Sequence, residues 1–301
     1  MKKGFIFLIV FGTILLAAGG AMFGLAIAKG AFDNNVLMKE VTNEIVLDDS
    51  FNKIDIDIVT ADLTFKPSED GKAKVVSVEK EKIHHTAKVS NDALVIREQD
   101  DRKFYEKWFG FMGKMKVTVY LPETNYSDLK IKLVSGDTLV EDTFNFDKQY
   151  IKSTTGDIKL SNVTGASADF DVTTGKVVLT NYTLSGALNV KTTSGEGIFT
   201  NVTVDSASIH TVSGDQKYNS FIVNNNLVIH VTSGDIDFLN CDAATLNIHT
   251  TTGHVQGNLL TPKDFKAHST TGDVTVYSTE GAPECVIETT TGDIYLTVGA
   301  K

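Results

Sequence analysis

Val134-Ser135-Gly136-Asp137, Thr154-Thr155-Gly156-Asp157, Thr173-Thr174-Gly175-Lys176, Thr193-Ser194-Gly195-Glu196, Val212-Ser213-Gly214-Asp215, Thr232-Ser233-Gly234-Asp235, Thr251-Thr252-Gly253-His254, Thr270-Thr271-Gly272-Asp273 and Thr290-Thr291-Gly292-Asp293 are nine versions of one four-residue turn. Their glycines lie 19 or 20 residues apart throughout. A period that constant marks one supersecondary unit stacked on itself.

Aligning the copies on glycine turns the chain into columns. Five residues before it stand Ile131, Ile151, Phe170, Val190, Ile209, Ile229, Ile248, Ala267 and Ile287, and two residues earlier a second, mostly apolar column runs from Leu129 to Cys285. Positions two apart share one face of a strand, so these columns line the core. A second strand starts after the turn, with Ile158, Val177, Ile236, Val255, Val274 and Ile294 at plus two and Leu160, Leu179, Phe199, Tyr218, Phe238, Val276 and Leu296 at plus four. Each coil therefore reads strand, tight turn, strand and looser return. The fold class is an all-β parallel β-solenoid of nine regular rungs over 124–301, stacked in sequence order. Glycine provides the backbone angle of the turn, and Ser, Thr and Asp hydrogen-bond its amides. Asn162, Asn181, Asn201 and Asn240, six residues past their glycines, form a second turn ladder.

Upstream, the pattern degrades. Ile54, Ile56 and Ile58 alternate with charged residues and lead into Val59-Thr60-Ala61-Asp62, a first rung with alanine in place of glycine. Residues 45–123 hold such irregular rungs, with strands expected at Ala73–Val78, Ala93–Arg97 and Lys116–Leu121. Between Asp100 and Gly113 lie Phe104, Tyr105, Trp108, Phe109 and Phe111, which either cap the open core or form a patch for a partner or the bilayer interface.

The amino terminus is of another kind. After Lys2 and Lys3, the 25 residues from Gly4 to Ala28 carry no charge, enough to span a bilayer and longer than a secretory core of about 7–15 residues. Residues 1–29 are read as an uncleaved transmembrane anchor and 30–44 as a linker. Ala26-Ile27-Ala28 keeps a cleaved signal peptide as the competing reading. The flanking lysines place the remaining chain outside the cell membrane, and the net charge of −10 argues against nucleic acid as a partner. Two cysteines, Cys241 and Cys285, fall in inward columns two rungs apart and are read as buried thiols.

The block Val117-Thr118-Val119-Tyr120-Leu121-Pro122, the lysine-rich strand leading to Gly136 and the repeated Thr-Thr-Gly-Asp-Ile turns resemble the LiaG-like family of candidate adhesins, bacterial β-strand-repeat proteins of the cell envelope. The resemblance covers residues 45–299 and includes the insert around Trp108-Phe109-Gly110-Phe111. It implies an amino-terminal membrane segment and a link to the envelope-stress response of Gram-positive bacteria, and it implies no catalytic residues.

Three constellations could carry chemistry. Asp137, Asp157, Asp215, Asp235, Asp273 and Asp293 follow their glycines, where carboxylates cap turns or, stacked, hold calcium; Lys176 and His254 interrupt them. A polysaccharide-active β-helix enzyme is the alternative function, but it needs a carboxylate cluster that breaks the repeat, and no rung shows one. No nucleophile, zinc-protease or phosphate-loop motif is present. Finally His210, His230, His249 and His268 occupy one outward column and are expected about 4.8 Å apart in successive rungs, a row open to coupled protonation or, as weak candidates, to a metal. The reading is a non-catalytic binding or scaffolding module without cofactor. Its partners are the membrane and an envelope protein or cell-wall polymer, and the rung of Gly292, at the chain's end, is open to end-to-end self-association.

Overall fold

A computed structural model describes residues 2–28, 39–104, 107 and 113–299. Lys2–Ala28 is a helix, with side chains described from Gly12 onward apart from residues 14 and 26. Among the described residues no helix is long and apolar enough to cross a membrane. Among the described residues the body is a single system of 24 strands, coiled as the columns require. Ile131, Ile151, Ile209, Ile229, Ile248 and Ile287 are fully buried, as are Ile158, Val177, Ile236 and Val255 on the second side.

The return segment is more regular than its sequence suggests. Asn162, Asn181, Asn201 and Asn240 take positive φ of 50–59° and turn the chain into a third strand, whose inward residues are Val163, Tyr182, Val202, Phe221 and Cys241. Asparagine tolerates that conformation better than other side chains. Its amide then bridges rungs: Asn181 Nδ2 donates to Asn162 Oδ1 at 3.0 Å, and Asn201 Nδ2 to Asn181 Oδ1 at 3.1 Å. Each coil thus has three sides and encloses an aromatic file, in which Phe199, Tyr218 and Phe238 stack at 5.1 Å. Gln149, the polar residue in a core column, accepts a 2.6 Å hydrogen bond from the Tyr182 hydroxyl. Cys241 and Cys285 are free and buried. Burial pushes their thiols up to about 11 and about 12.

Turn backbones lie directly on one another. The amide of Gly156 donates to Thr174 O in the next rung at 2.9 Å, and the pattern repeats along the column. A Cβ on Gly156 would stand 1.9 Å from the carbonyl oxygen of Gly136, and one on Gly234 would stand 2.2 Å from that of Gly214. Gly195 shows that contact, not backbone angle, is the deeper constraint. It lies outside the positive-φ range of its eight counterparts, yet its Cβ would come within 1.8 Å of Gly175 O. Ala61 begins the column, and it is its carbonyl that Gly136 approaches.

Both ends depart from sequence order. Lys53–Thr60 pairs in parallel with Asn125–Ser135 on one side, as expected of a first rung, and with Ala93–Asp100 on the other. Likewise Asp62–Pro67 lies between Thr138–Val140 and Lys116–Leu121. The outermost parallel rung is therefore made of Ala93–Asp100 and Lys116–Leu121. Ile83–Ser90, Ala73–Lys80 and Glu40–Leu47 then add in antiparallel fashion. Two of these strands, Glu40–Leu47 and Ile83–Ser90, were not expected, and the first occupies the last residues assigned to the linker.

At the carboxyl end the rung of Gly292 is inserted between its two predecessors. Glu284–Thr291 pairs with Leu246–Thr252 on one side and with Asp264–Thr271 on the other. Gly292 packs on Gly253 O, and Gly272 on Gly292 O. The expectation of consecutive stacking is thus corrected: the open rung is that of Gly272, not that of Gly292. Periodicity defines what each rung is but is silent on which rung lies beside which, because all rungs share the same edge chemistry.

Gly234→Ala is expected to destabilise by at least about 2 kcal/mol, combining backbone overlap with strain. Gly281→Ala, at φ +79° in open space, should cost only about 1 kcal/mol; thermal melting of the two variants checks this. Rung order is read by disulfide trapping. Thr252→Cys with Thr291→Cys should oxidise to a bridge, while Thr252→Cys with Thr271→Cys, about 9.6 Å apart, should not.

Candidate functional site: an outward lysine and histidine ladder

The column four residues before each turn glycine points to solvent, one position out of phase with the core. In spatial order it reads Lys132, Lys152, Asp171, Lys191, His210, His230, His249, Glu288 and His268. Lys152 Nζ and Asp171 Oδ2 pair at 2.8 Å. The His210 and His230 rings stack at 4.9 Å and 20°, and His230 and His249 follow at 5.8 Å and 43°. Asp171, Lys191, His210 and His230 line a shallow depression of about 530 Å³ together with threonines of the neighbouring columns.

The predicted run of four histidines is corrected to three. Insertion of the Gly292 rung puts Glu288 between His249 and His268, with its Oε2 3.5 Å from His249 Nδ1. Burial pushes the His230 imidazole below its ordinary value, and the neighbouring charges of His210 and His249 add to the effect. Among the described residues no three His, Cys, Asp or Glu groups are placed to hold a metal ion.

The turn carboxylates bond between rungs and not within their own turns. Asp137 Oδ1 accepts the amide of Asp157 at 2.8 Å, Asp157 Oδ1 that of Lys176 at 2.9 Å and Asp235 Oδ1 that of His254 at 2.8 Å. His254 continues the series by accepting the Asp293 amide at Nδ1, 3.0 Å away. Glu196 is clasped by Lys176 at 2.7 Å and Lys217 at 2.6 Å, and these hydrogen bonds hold its carboxyl below the usual range. One oxygen in most of these carboxylates is therefore committed to the stack.

A polar cluster that sequence reasoning missed lies in the amino-terminal cap. Glu79 Oε2 accepts hydrogen bonds from the Ser77 hydroxyl and the His85 amide, each at 2.8 Å, and stands 3.1 Å from His85 Nδ1. His85 Nε2 is buried without a hydrogen bond and lies 4.0 Å from Glu98 Oε2, which accepts the amides of Val59 and Thr60. A signal was present: Ser77 and Glu79 share the inward phase of Ala73 and Val75, and His85 that of Ile83. Of the aromatic insert, Phe104 is exposed, whereas Tyr105, Trp108, Phe109 and Phe111 lie outside the described residues.

The sequence matches the family described as Toastrack DUF4097 over residues 51–239 and again over 217–300. No curated protein matches it. Among solved structures, a candidate lipid-binding protein from Parabacteroides distasonis is similar, with a TM-score of 0.56 and 14% identity over 86% of this chain and 97% of that one. A candidate adhesin from the same species gives a TM-score of 0.54 at 14% identity, with the same coverage. At that identity the likeness is one of fold.

A folded-state imidazole held low binds protons less readily than its unfolded counterpart. The stability contributed by His230 is thus complete above about pH 6.5 and is lost as pH falls below it. NMR titration should place His230 below the range of an isolated imidazole. His210→Asn should move it upward, while His268→Asn, beyond Glu288, should leave it in place.

Proposed function

Because the chain belongs to the Toastrack DUF4097 family, we propose that it is a non-catalytic binding module held at the outer face of the cell membrane by its amino-terminal helix, with an extended anionic wall polymer as its ligand. The observation that carries this reading is the ladder. Side chains at a constant spacing of about 4.8 Å, rich in Lys and His in a chain of net charge −10, suit a long repeating ligand better than a small molecule. Protonating the imidazoles of the ladder adds charge to that face and strengthens its attraction for anions. The adhesin-like names of structural neighbours agree with a binding role.

Although no helix among the described residues is long and apolar enough to cross a membrane, the anchor reading draws on the sequence, whose 25-residue run from Gly4 to Ala28 carries no charge. Along it Leu15, Leu16, Met22, Phe23, Leu25 and Ile27 are exposed, which is costly in water and favourable in lipid. A role in the envelope-stress response is part of this proposal, in line with the resemblance to the LiaG-like family.

Protein isolated from membranes should begin at Met1; a terminus at Lys29 would show cleavage. Sedimentation with purified wall polymer should show tighter binding at about pH 5.5 than at 7.5. Lys132→Ala, Lys152→Ala and Lys191→Ala should each weaken it in graded steps. Hydrolysis of the polymer, abolished by one or two carboxylate substitutions, would instead identify an enzyme.

A further inference from the structure

One window of the outward ladder holds no carboxylate. Lys191, His210, His230 and His249 follow one another in register, with Asp171 before them and Glu288 after. The acids around the window are already engaged. Asp171 pairs with Lys152 at 2.8 Å, Asp169 accepts from Asn189 Nδ2 at 2.8 Å, and Glu288 faces His249 at 3.5 Å. On the turn column Glu196 is held between Lys176 and Lys217, and Asp215 Oδ1 accepts the Asp235 amide at 3.0 Å. Lys191 itself has no ion-pair partner among the described residues.

A second wall faces this row. Two residues further along the same strands stand Thr193, Val212 and Thr232, all exposed, and the depression of about 530 Å³ is lined by them and by Lys191, His210 and His230. Its floor is closed, because the buried Thr192 and Thr211 hydroxyls bond each other at 2.8 Å.

We infer that this window is the seat of a phosphodiester group of the wall polymer. The assignment rests on the binding role proposed above and names the anion which that role requires. Lysine and imidazole donors one rung apart stand about 4.8 Å from each other, a gap that one oxyanion bridges with hydrogen bonds of about 2.8 Å to each. A tetrahedral group has further oxygens to offer the threonine hydroxyls of the opposite wall. A planar carboxylate, as in a uronate polymer, keeps both oxygens in one plane and reaches one wall only. The window spans about 14 Å between acidic ends, which fixes the place of the phosphodiester along the ladder.

Burial and the charges of His210 and His249 hold His230 below its ordinary value. A phosphodiester keeps its negative charge throughout the range in which imidazoles titrate, so a bound one favours the protonated ring and moves His230 upward. By linkage, binding tightens as pH falls.

NMR of the imidazoles in the full chain in neutral detergent tests it, with an oligomer of glycerol phosphate as probe and an oligogalacturonate of equal charge as its rival. The phosphodiester oligomer should shift His210 and His230 saturably, leave His268 in place and raise the His230 titration. The uronate should bind at least about tenfold more weakly, and Lys191→Gln should weaken the phosphodiester by at least about tenfold, while Lys148→Gln, on the same face but outside the window, should not. Phosphatidylglycerol added to the micelle should leave the rings unmoved; a shift there would assign the site to a lipid headgroup and overturn the proposal. Equal affinity for the two oligomers, an equal shift of His268, or equal losses in the two lysine variants would overturn it too, by showing unspecific attraction. Wall polymer that still sediments with the protein in that case leaves the binding role standing, whereas a seated oligomer without polymer binding would remove that role alone.

Discussion

In this fold the carbonyl oxygen of one turn glycine occupies the place where the next turn's side chain would begin. That contact sets the distance between rungs at the tightest corner of the coil, and the other sides must match it. Each turn amide can then reach the rung beside it, each Asp carboxylate can bridge to the next amide, and the Asn corner can stack its side-chain amides. An individual hydrogen bond of this kind is worth about 1 kcal/mol net. The same bond repeated at every rung makes the register cooperative, since one displaced rung would disturb three corners at once.

The exchange of order at both ends follows from the same edge chemistry. A strand at the end of a stack is paired on one side only, and a chain terminus lying there would fray first. In this molecule the strands nearest the termini of the coil, Lys53–Pro67 and Glu284–Val298, are drawn one place inward and paired on both sides. The outermost positions are taken by segments that the chain enters and leaves. At the amino-terminal end, antiparallel strands overlie the outermost rung and bury Glu79 and His85.

That arrangement also shapes the outward surface. A ladder read straight down the sequence would have four consecutive histidines; the inserted rung places a carboxylate beside His249 and isolates His268. The three that remain in contact lie beside Lys191 and, beyond Asp171, Lys152 and Lys132 on one face of the coil.

The periodic part of the fold was legible in the amino-acid sequence because each column has one physical demand: no side chain at the stacked turn, an apolar residue facing inward, an amide at the left-handed corner. Residues such as Gly156, Ile209 and Asn181 answer those demands locally. Even the polar Glu79 and His85 were detectable by their inward phase. Rung adjacency was not encoded in that way, because a strand edge from one rung accepts any other rung equally well, so only packing of the complete chain decided that Gly292 lies on Gly253 and beneath Gly272. The same holds for Glu288 beside His249 and for the open edge at Lys266–Thr271, which are consequences of neighbours distant in sequence and brought together by the closed coil.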